Sequence, residues 1–327
     1  MKAVLFQGFG GPDILRCEEV DKPVPSDDEV LVRVRAASIN PLDWKTMKGG
    51  PWLARVLLGW GKPKLKIPGV DLAGDVEAAG SNVTGFRPGD AVFGACRGAF
   101  AEYAVAKAAG EKVVLVRKPE NVSFEQAASV PVAGLTALQG LRDHGRLQPG
   151  QKALVNGAAG GVGTFAVQIA KASGAQVTAV CSTRNVSMVR SLGADRVVDY
   201  TREDFTQSGE RYDLILDCVG NRSLSACRHV LRPGGVLVMV GMPGDAPISG
   251  ILARLTGAIV SSWFVSKKAV FFIAKVNQKD LTILGELLAS GSITPVVDRS
   301  YKLEEAAEAF RYMEKGHARG KVMVSVG

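Results

Sequence analysis

Apolar and polar residues alternate over Met1–Phe6 (MKAVLF) and over Glu29–Ala36 (EVLVRVRA), where Val30, Val32 and Val34 share one face; both patterns predict β-strands. VDLAGDVEAAG, GFRPGDAVFG and GAFAEYAVA, joined by Gly, Pro and Asp turns, predict further short strands, so the chain to about residue 123 reads as β-rich. The pattern then changes. Ser123–Gln126 has capping-box spacing and opens an interrupted helical region through Pro131 to Gly145. Six apolar runs come next, at 152–156, 176–180, 196–199, 213–218, 236–241 and 269–275, with helical spacing between most of them. That order predicts an α/β architecture with a doubly wound, parallel, six-stranded sheet. A helix over 280–290, a strand over 293–301, a helix over 303–315 and a closing strand over 321–326 complete the chain. The expected division is a β-rich domain over 1–123, completed by 278–327, and a second domain over 124–277.

In KALVNGAAGGVG (152–163), the first parallel strand runs into a small-residue turn and then into a helix. This order suits a dinucleotide pyrophosphate: Gly160 permits close backbone approach, Gly163 permits close helix–strand packing, and the helix start offers unpaired N–H groups. Ala159, Gly160, Gly161, Val162 and Gly163 are therefore candidate cofactor contacts, with Ala158 where the pattern's first glycine would stand. The next strand ends in Cys181, Ser182, Thr183, Arg184 and Asn185, the place of the ribose-reading loop. No Asp or Glu occurs between Ala158 and Ala194, so the carboxylate that grips a ribose 2′-hydroxyl is missing from that stretch. NADPH is expected over NADH. Arg184 would pair with the 2′-phosphate and Ser182 and Thr183 would donate hydroxyls; a charge-assisted hydrogen bond is worth about 1.5–3 kcal/mol.

The carboxyl edge of an open parallel sheet collects ligands, which adds Cys218, Val219 and Gly241 as backbone contacts for the nicotinamide half. A length of 327 residues calls for two cores, consistent with the division above. Lys plus Arg exceed Asp plus Glu by 40 to 32, giving a net charge of +8 that suits an anionic cofactor. With no zinc-finger spacing, dense basic block or RNA-binding sheet signature, nucleic acid is not the expected partner. The five cysteines form no CxxC pair and read as reduced thiols; with Met1–Phe6 opening directly as a strand, a cytoplasmic location is expected.

Together, MKAVLF, ASINPLDWK, PGVDLAG, PVAGLTAL, GAAGGVG, SLGADRVVDY, DLILDCVG, LRPGGVLVMVG and HARGKVMVSV resemble the zinc-free quinone oxidoreductase branch of the medium-chain dehydrogenase/reductase superfamily. The resemblance covers nearly the whole chain. It implies a GroES-like β-rich catalytic domain completed by the C-terminal tail, an inserted Rossmann domain, NADPH in the cleft between them, and homodimers as in many members. Where zinc-dependent relatives carry Cys, His and Cys, this chain has Asn40, Val70 and Val132, none a good zinc ligand, so no metal is expected. SINPLDWK would line the nicotinamide site. There Asn40 would donate its amide to substrate oxygen or cofactor ribose, and Lys45 would supply charge or a proton with Asp43 holding it; a local ion pair and a turn-satisfying Asn are the structural alternatives. Thr136 would lie beside the nicotinamide and Tyr200 at the adenosine end. Phe271 and Phe272 would reach the carboxamide or serve as core, and Arg319 and Lys321 would approach cofactor phosphates or form a solvated pair.

Without a metal to polarise an alcohol, reduction of a quinone or of the activated C=C of an enone or alkenal is the expected reaction. Two stretches suggest cover for a lipophilic acceptor: 49–68, where Lys and Arg surround Trp52, Leu53, Val56, Leu57, Leu58 and Trp60, and 248–265, with Arg254 its one charge. A membrane-surface role ranks below that reading. The competing functions are an enoyl-thioester reductase of lipid or polyketide type and a catalytically idle NADPH-binding scaffold.

Overall fold

The computed structural model describes residues 1–6, 8–47, 67–109, 113–241 and 268–327, the side chains of Lys45 and Thr46 excepted. Most of the first stretch expected to cover an acceptor, and all of the second, lie outside the described residues. The chain divides into two compact units: Met1–Leu135 with Val276–Gly291 and Pro295–Gly327, and Thr136–Lys275 with Ser292–Thr294.

The first unit is organised around β3 (Glu29–Ser38), whose alternating valines and Leu31 are all buried, because neighbours cover both faces. It pairs antiparallel with β4 (Asp71–Ala79) and β6 (Tyr103–Lys107), and at its far end with β15 (Lys321–Ser325), which itself lies parallel to β14 (Val297–Lys302). β5 (Ala91–Ala95) and β7 (Leu115–Arg117) extend the sheet beyond β4. The C-terminal tail thus completes the N-terminal sheet. β1 (Lys2–Phe6) pairs with β2 (Leu15–Glu19) in a separate two-stranded sheet. Sequence patterning misses β2 and β7: LRCEE is largely polar and exposed, and LVR is too short to show a period. This unit reaches twelve residues beyond the expected boundary, to 135 rather than 123. The helix Phe124–Ala128, opened by the Ser123–Gln126 capping box, packs on β3 and β4, and so belongs to the unit whose strands it covers.

The second unit is the predicted parallel sheet. β8 (Lys152–Asn156), β9 (Gln176–Cys181), β10 (Arg196–Asp199), β11 (Tyr212–Asp217), β12 (Leu231–Met239) and β13 (Lys268–Phe271) lie in the order β10-β9-β8-β11-β12-β13. Ala153, Leu154 and Val155 are fully buried, as a strand covered on both faces requires. The order reverses between β8 and β11, so the ligand-collecting crevice lies at the carboxyl ends of these two strands. β13 stops at Phe271, short of the expected Lys275.

Phe100 and Phe310 are fully buried and meet edge to face, ring centroids 5.9 Å apart, tying the helix Ala306–Glu314 to the N-terminal unit. Phe310→Ala should cost about 3–5 kcal/mol. In urea titrations the midpoint should fall accordingly; an unchanged midpoint would show that this contact does not hold the tail in place.

Candidate active site

In the second unit, Gly157 turns the chain after β8 with φ +84°, a conformation open to glycine and strained for a residue with a Cβ. A Cβ on Gly163 would lie 2.1 Å from the Gly157 carbonyl oxygen, so helix and turn meet too closely for any side chain there. Gly160 differs: a Cβ would meet only the Gly157 oxygen, at 3.5 Å. Gly160 also caps the helix Gly161–Ala172 without a side-chain hydrogen bond, leaving its first N–H groups for a ligand. The turn therefore fits a pyrophosphate on geometry, with Ala159, Gly161 and Val162 beside it.

The neighbouring edge turns are fixed by residues that sequence reasoning missed. Asp217, at the end of β11 and fully buried, accepts hydrogen bonds from Asn156 Nδ2 (2.9 Å), Gly220 N (2.8 Å) and Val219 N (3.1 Å), while Asn156 also donates to Asn221 (2.9 Å). A Cβ on Gly241 would lie 1.9 Å from the Cys218 carbonyl oxygen, so the predicted contact turns at 218–219 and 241 abut. Burial pushes the Cys218 thiol up, which disfavours the thiolate that a nucleophile needs. Phe272 stacks on His144 with centroids 4.2 Å apart, and Phe271 is exposed.

Of the residues expected at the adenosine end, Ser182 is half-buried and Thr183, Arg184 and Tyr200 are exposed, all close in the chain to the ends of β9 and β10. Thr183, expected to donate to a phosphate, instead donates to Asp199 Oδ2 at 2.5 Å. Its one hydroxyl hydrogen is committed. Asp199 lies beyond the acid-free stretch in sequence but stands opposite Cys181 in the parallel register, so strand pairing brings in the acid that the local stretch lacks.

In the first unit, one sheet region gathers Asn40, Asp43, Asp71 and Lys321. β3 ends at Ser38, which pairs with Asp71 on one side and Met323 on the other, and this register brings three distant stretches together. Lys321 is 3% exposed and its ammonium donates to Asn40 Oδ1 (2.7 Å) and Ile39 O (3.2 Å), with Asp71 Oδ2 at 3.5 Å. The expectation that Lys321 meets cofactor phosphates is corrected: its three hydrogens face internal oxygens. Arg319 next to it is exposed, its backbone N–H donating to Asp298. Asn40 Nδ2 donates to Asp71 Oδ2 (2.8 Å), which also accepts from Ser38 Oγ (3.0 Å). The lysine fixes the amide orientation, leaving one Nδ2 hydrogen uncommitted among these bonds. Asp71 Oδ1 accepts from Val132 N (3.0 Å) at the start of the helix Pro131–Gln139, on which Thr136 lies half-buried. Asp71 was not a sequence candidate; a lone Asp in a glycine-rich strand carries no signal of its own.

Asp43, third in the helix Pro41–Met47, accepts from Asn40 N (2.8 Å), the return half of a capping box. Burial first, and then the neighbouring Asp71, raises its carboxyl from 3.8 to about 7. The Lys45 side chain, its proposed partner, lies outside those described. A raised acid keeps its proton in the native state while the unfolded chain gives it up, so native stability falls as pH rises from about 4 to about 7 and then levels. Asp43→Asn removes that dependence. The melting temperature of the variant minus that of the native protein should climb between pH 4.5 and pH 8; a flat or falling difference would show that Asp43 ionises normally.

Residues 26–119 match the alcohol dehydrogenase GroES-like domain and residues 192–324 a domain described as zinc-binding dehydrogenase. The chloroplastic quinone-oxidoreductase QR1 of Triphysaria versicolor is 36% identical over 340 residues, covering 99% of this chain and 98% of the relative. A chloroplastic NADPH-dependent alkenal/one oxidoreductase of Arabidopsis thaliana is 33% identical, covering 99% and 79%. The solved quinone oxidoreductase of Coxiella burnetii superposes with a TM-score of 0.84 at 32% identity, covering 100% of this chain and 99% of that one. With both domain matches, the two larger sheets and the glycine turn in agreement, the chain belongs to the quinone oxidoreductase branch of the medium-chain dehydrogenase/reductase superfamily.

Proposed function

We propose that this protein is a zinc-independent reductase of quinones and α,β-unsaturated carbonyls that prefers NADPH. The observation that carries the reading is the bonding of Asn40. It stands where zinc-dependent members of the superfamily carry a cysteine ligand, and its carbonyl oxygen is taken by the buried Lys321 ammonium. A fixed cation bonded to the one oxygen donor opposes a second cation there, and Val70 and Val132 offer no side-chain donor. The donor set does not fit zinc, and no step is drawn through a metal.

The glycine turn and the uncapped helix start support a dinucleotide, which supplies the hydride when bound. The chain's own residues do the rest. The N–H groups at the start of the helix Gly161–Ala172 would hold the pyrophosphate, and the Asp217 network fixes the neighbouring turns. Asn40 offers its remaining Nδ2 hydrogen to an acceptor oxygen, and Lys321 polarises that amide through its carbonyl. A conjugated carbonyl is already electrophilic, so placement and hydrogen bonding to the developing enolate suffice, with the proton following from water. The relatives named for quinones and for alkenals and enones support this acceptor class.

After EDTA treatment, the purified protein should still oxidise NADPH with quinones, enones or alkenals, and do so faster than it oxidises NADH at equal concentration. Loss of turnover on chelation, restored by zinc alone, would refute the metal-free reading.

We also infer a homodimer. Among the described residues, β13 bonds to β12 on one side alone, and Phe271 at its end and Ile273 just beyond it are 37% and 80% exposed. An open edge flanked by exposed apolar side chains is a ready pairing surface. Light scattering should give about twice the 34.5 kDa of one chain, and Ile273→Asp should shift the population to monomer; a native monomer at micromolar concentration would remove the inference.

A further inference from the structure

We propose that Asp199 sets the dinucleotide preference of this chain: held beside the ribose-reading loop, its carboxylate opposes a 2′-phosphate, so that Arg184 yields a moderate preference for NADPH and NADH remains a usable cofactor. This rests on the reading that the second unit binds a nicotinamide dinucleotide.

The position follows from the register. β9 and β10 are parallel with Asp199 opposite Cys181, the last residue of β9 and the one before Ser182. In dinucleotide folds the acid that reads the adenosine ribose comes from the end of the second strand of the sheet, here β9. Asp199 reaches the same loop from the adjacent strand. Its direction is fixed by both oxygens: Oδ2 accepts from Thr183 Oγ1 at 2.5 Å, and Oδ1 accepts from Thr201 N at 3.0 Å and Thr201 Oγ1 at 2.8 Å. These bonds, that of Thr183 foremost, hold the carboxyl below its ordinary range, so the charge is present throughout neutral pH. Thr183, on the loop itself, therefore presents an acceptor oxygen and a neighbouring anion to a ligand and not a free donor.

The surroundings leave that charge partly uncompensated. Arg202 Nε stands 3.7 Å from Asp199 Oδ2, but its side chain is 77% exposed, and such pairs are weakened by solvent and salt. The groove between the helix Val186–Ser191 and β10 has a volume of about 800 Å³ and is lined by Arg190 and Arg202 but equally by Asp199 and Glu203. A site selected for a phosphate dianion concentrates one sign of charge; this one mixes both. A ribose with free hydroxyls meets no penalty there, because a carboxylate accepts hydrogen bonds from hydroxyls as it does from Thr183 and Thr201.

Adenosine fragments test this without turnover. Calorimetric titration at low salt should show that Asp199→Asn binds 2′,5′-ADP about five- to tenfold more tightly than the native protein does while 5′-ADP changes by less than about twofold, and the gain should shrink at high salt. Arg184→Ala should weaken 2′,5′-ADP alone. If Asp199→Asn misfolds, Asp199→Ser, which keeps a short acceptor for Thr183 and removes the charge, should give the same direction. An unchanged ratio of the two affinities, or equal weakening of both ligands, would overturn the proposal and leave Asp199 a support of the loop. A native protein that binds neither fragment would instead overturn the dinucleotide reading itself.

Discussion

The buried ammonium of Lys321 joins parts of the chain that sequence keeps far apart. It meets the residue after β3 through Ile39 O, the residue before the next helix through Asn40 Oδ1, and the start of β4 through Asp71. Asp71 is fully buried and Lys321 nearly so, and burying two charges is costly enough that an apolar pair of similar volume would stabilise the fold at least as well. What the ion pair adds is register. A one-residue slip of β15 against β3 would turn Lys321 to the other face and leave Asp71 unpaired inside the unit, an error worth about 3–5 kcal/mol. The tail is thereby held in the alignment that also orients the Asn40 amide.

A second constraint acts on the parallel sheet, where backbone groups carry the ligand chemistry. A glycine with φ +84° turns the chain after β8, a second glycine lets the helix sit against that turn, and Asp217 binds the turn after β11 through two backbone N–H groups. These features leave the helix N-terminus without a side-chain cap. An uncapped, rigidly placed helix start binds anions with little reorganisation, which is how a neutral stretch of sequence recognises a diphosphate. The two units thus use different physics: fixed side-chain charge sealed from water in the first, and exposed backbone dipoles in the second.

Both architectures were legible because their signals are local. Alternation in EVLVRVRA, apolar runs separated by helical spacing, and the strand–glycine–helix order of KALVNGAAGGVG each determine structure within a dozen residues. What escaped depends on register. Asp71 and Lys321 are 250 positions apart, and only the pairing of β4 and β15 with the two sides of β3 brings them together, so Lys321 read alone as a cofactor contact when it is a buried internal donor. The placement of Asp199 escaped likewise, because a search along the chain for acids near Ser182 cannot see across to the next strand. The domain boundary moved for a related reason: a helix belongs to whichever strands it covers, and Phe124–Ala128 covers β3 and β4.

The same distinction between composition and placement governs the electrostatics. A net charge of +8 favours anionic ligands at long range, but over one Debye length, about 8 Å at physiological salt, only neighbouring groups matter. In the groove beside Thr183, Asp199 and Glu203 offset Arg190 and Arg202, so the basic excess of the whole chain does not reach that groove as a basic pocket. In the other unit a single lysine, insulated from salt by burial, meets Asn40 and Asp71 directly. Amide orientation is thus set by one or two charges whose positions the strands determine, as we propose for cofactor discrimination at Asp199, and the global excess is left to govern encounter with an anionic ligand and not its recognition.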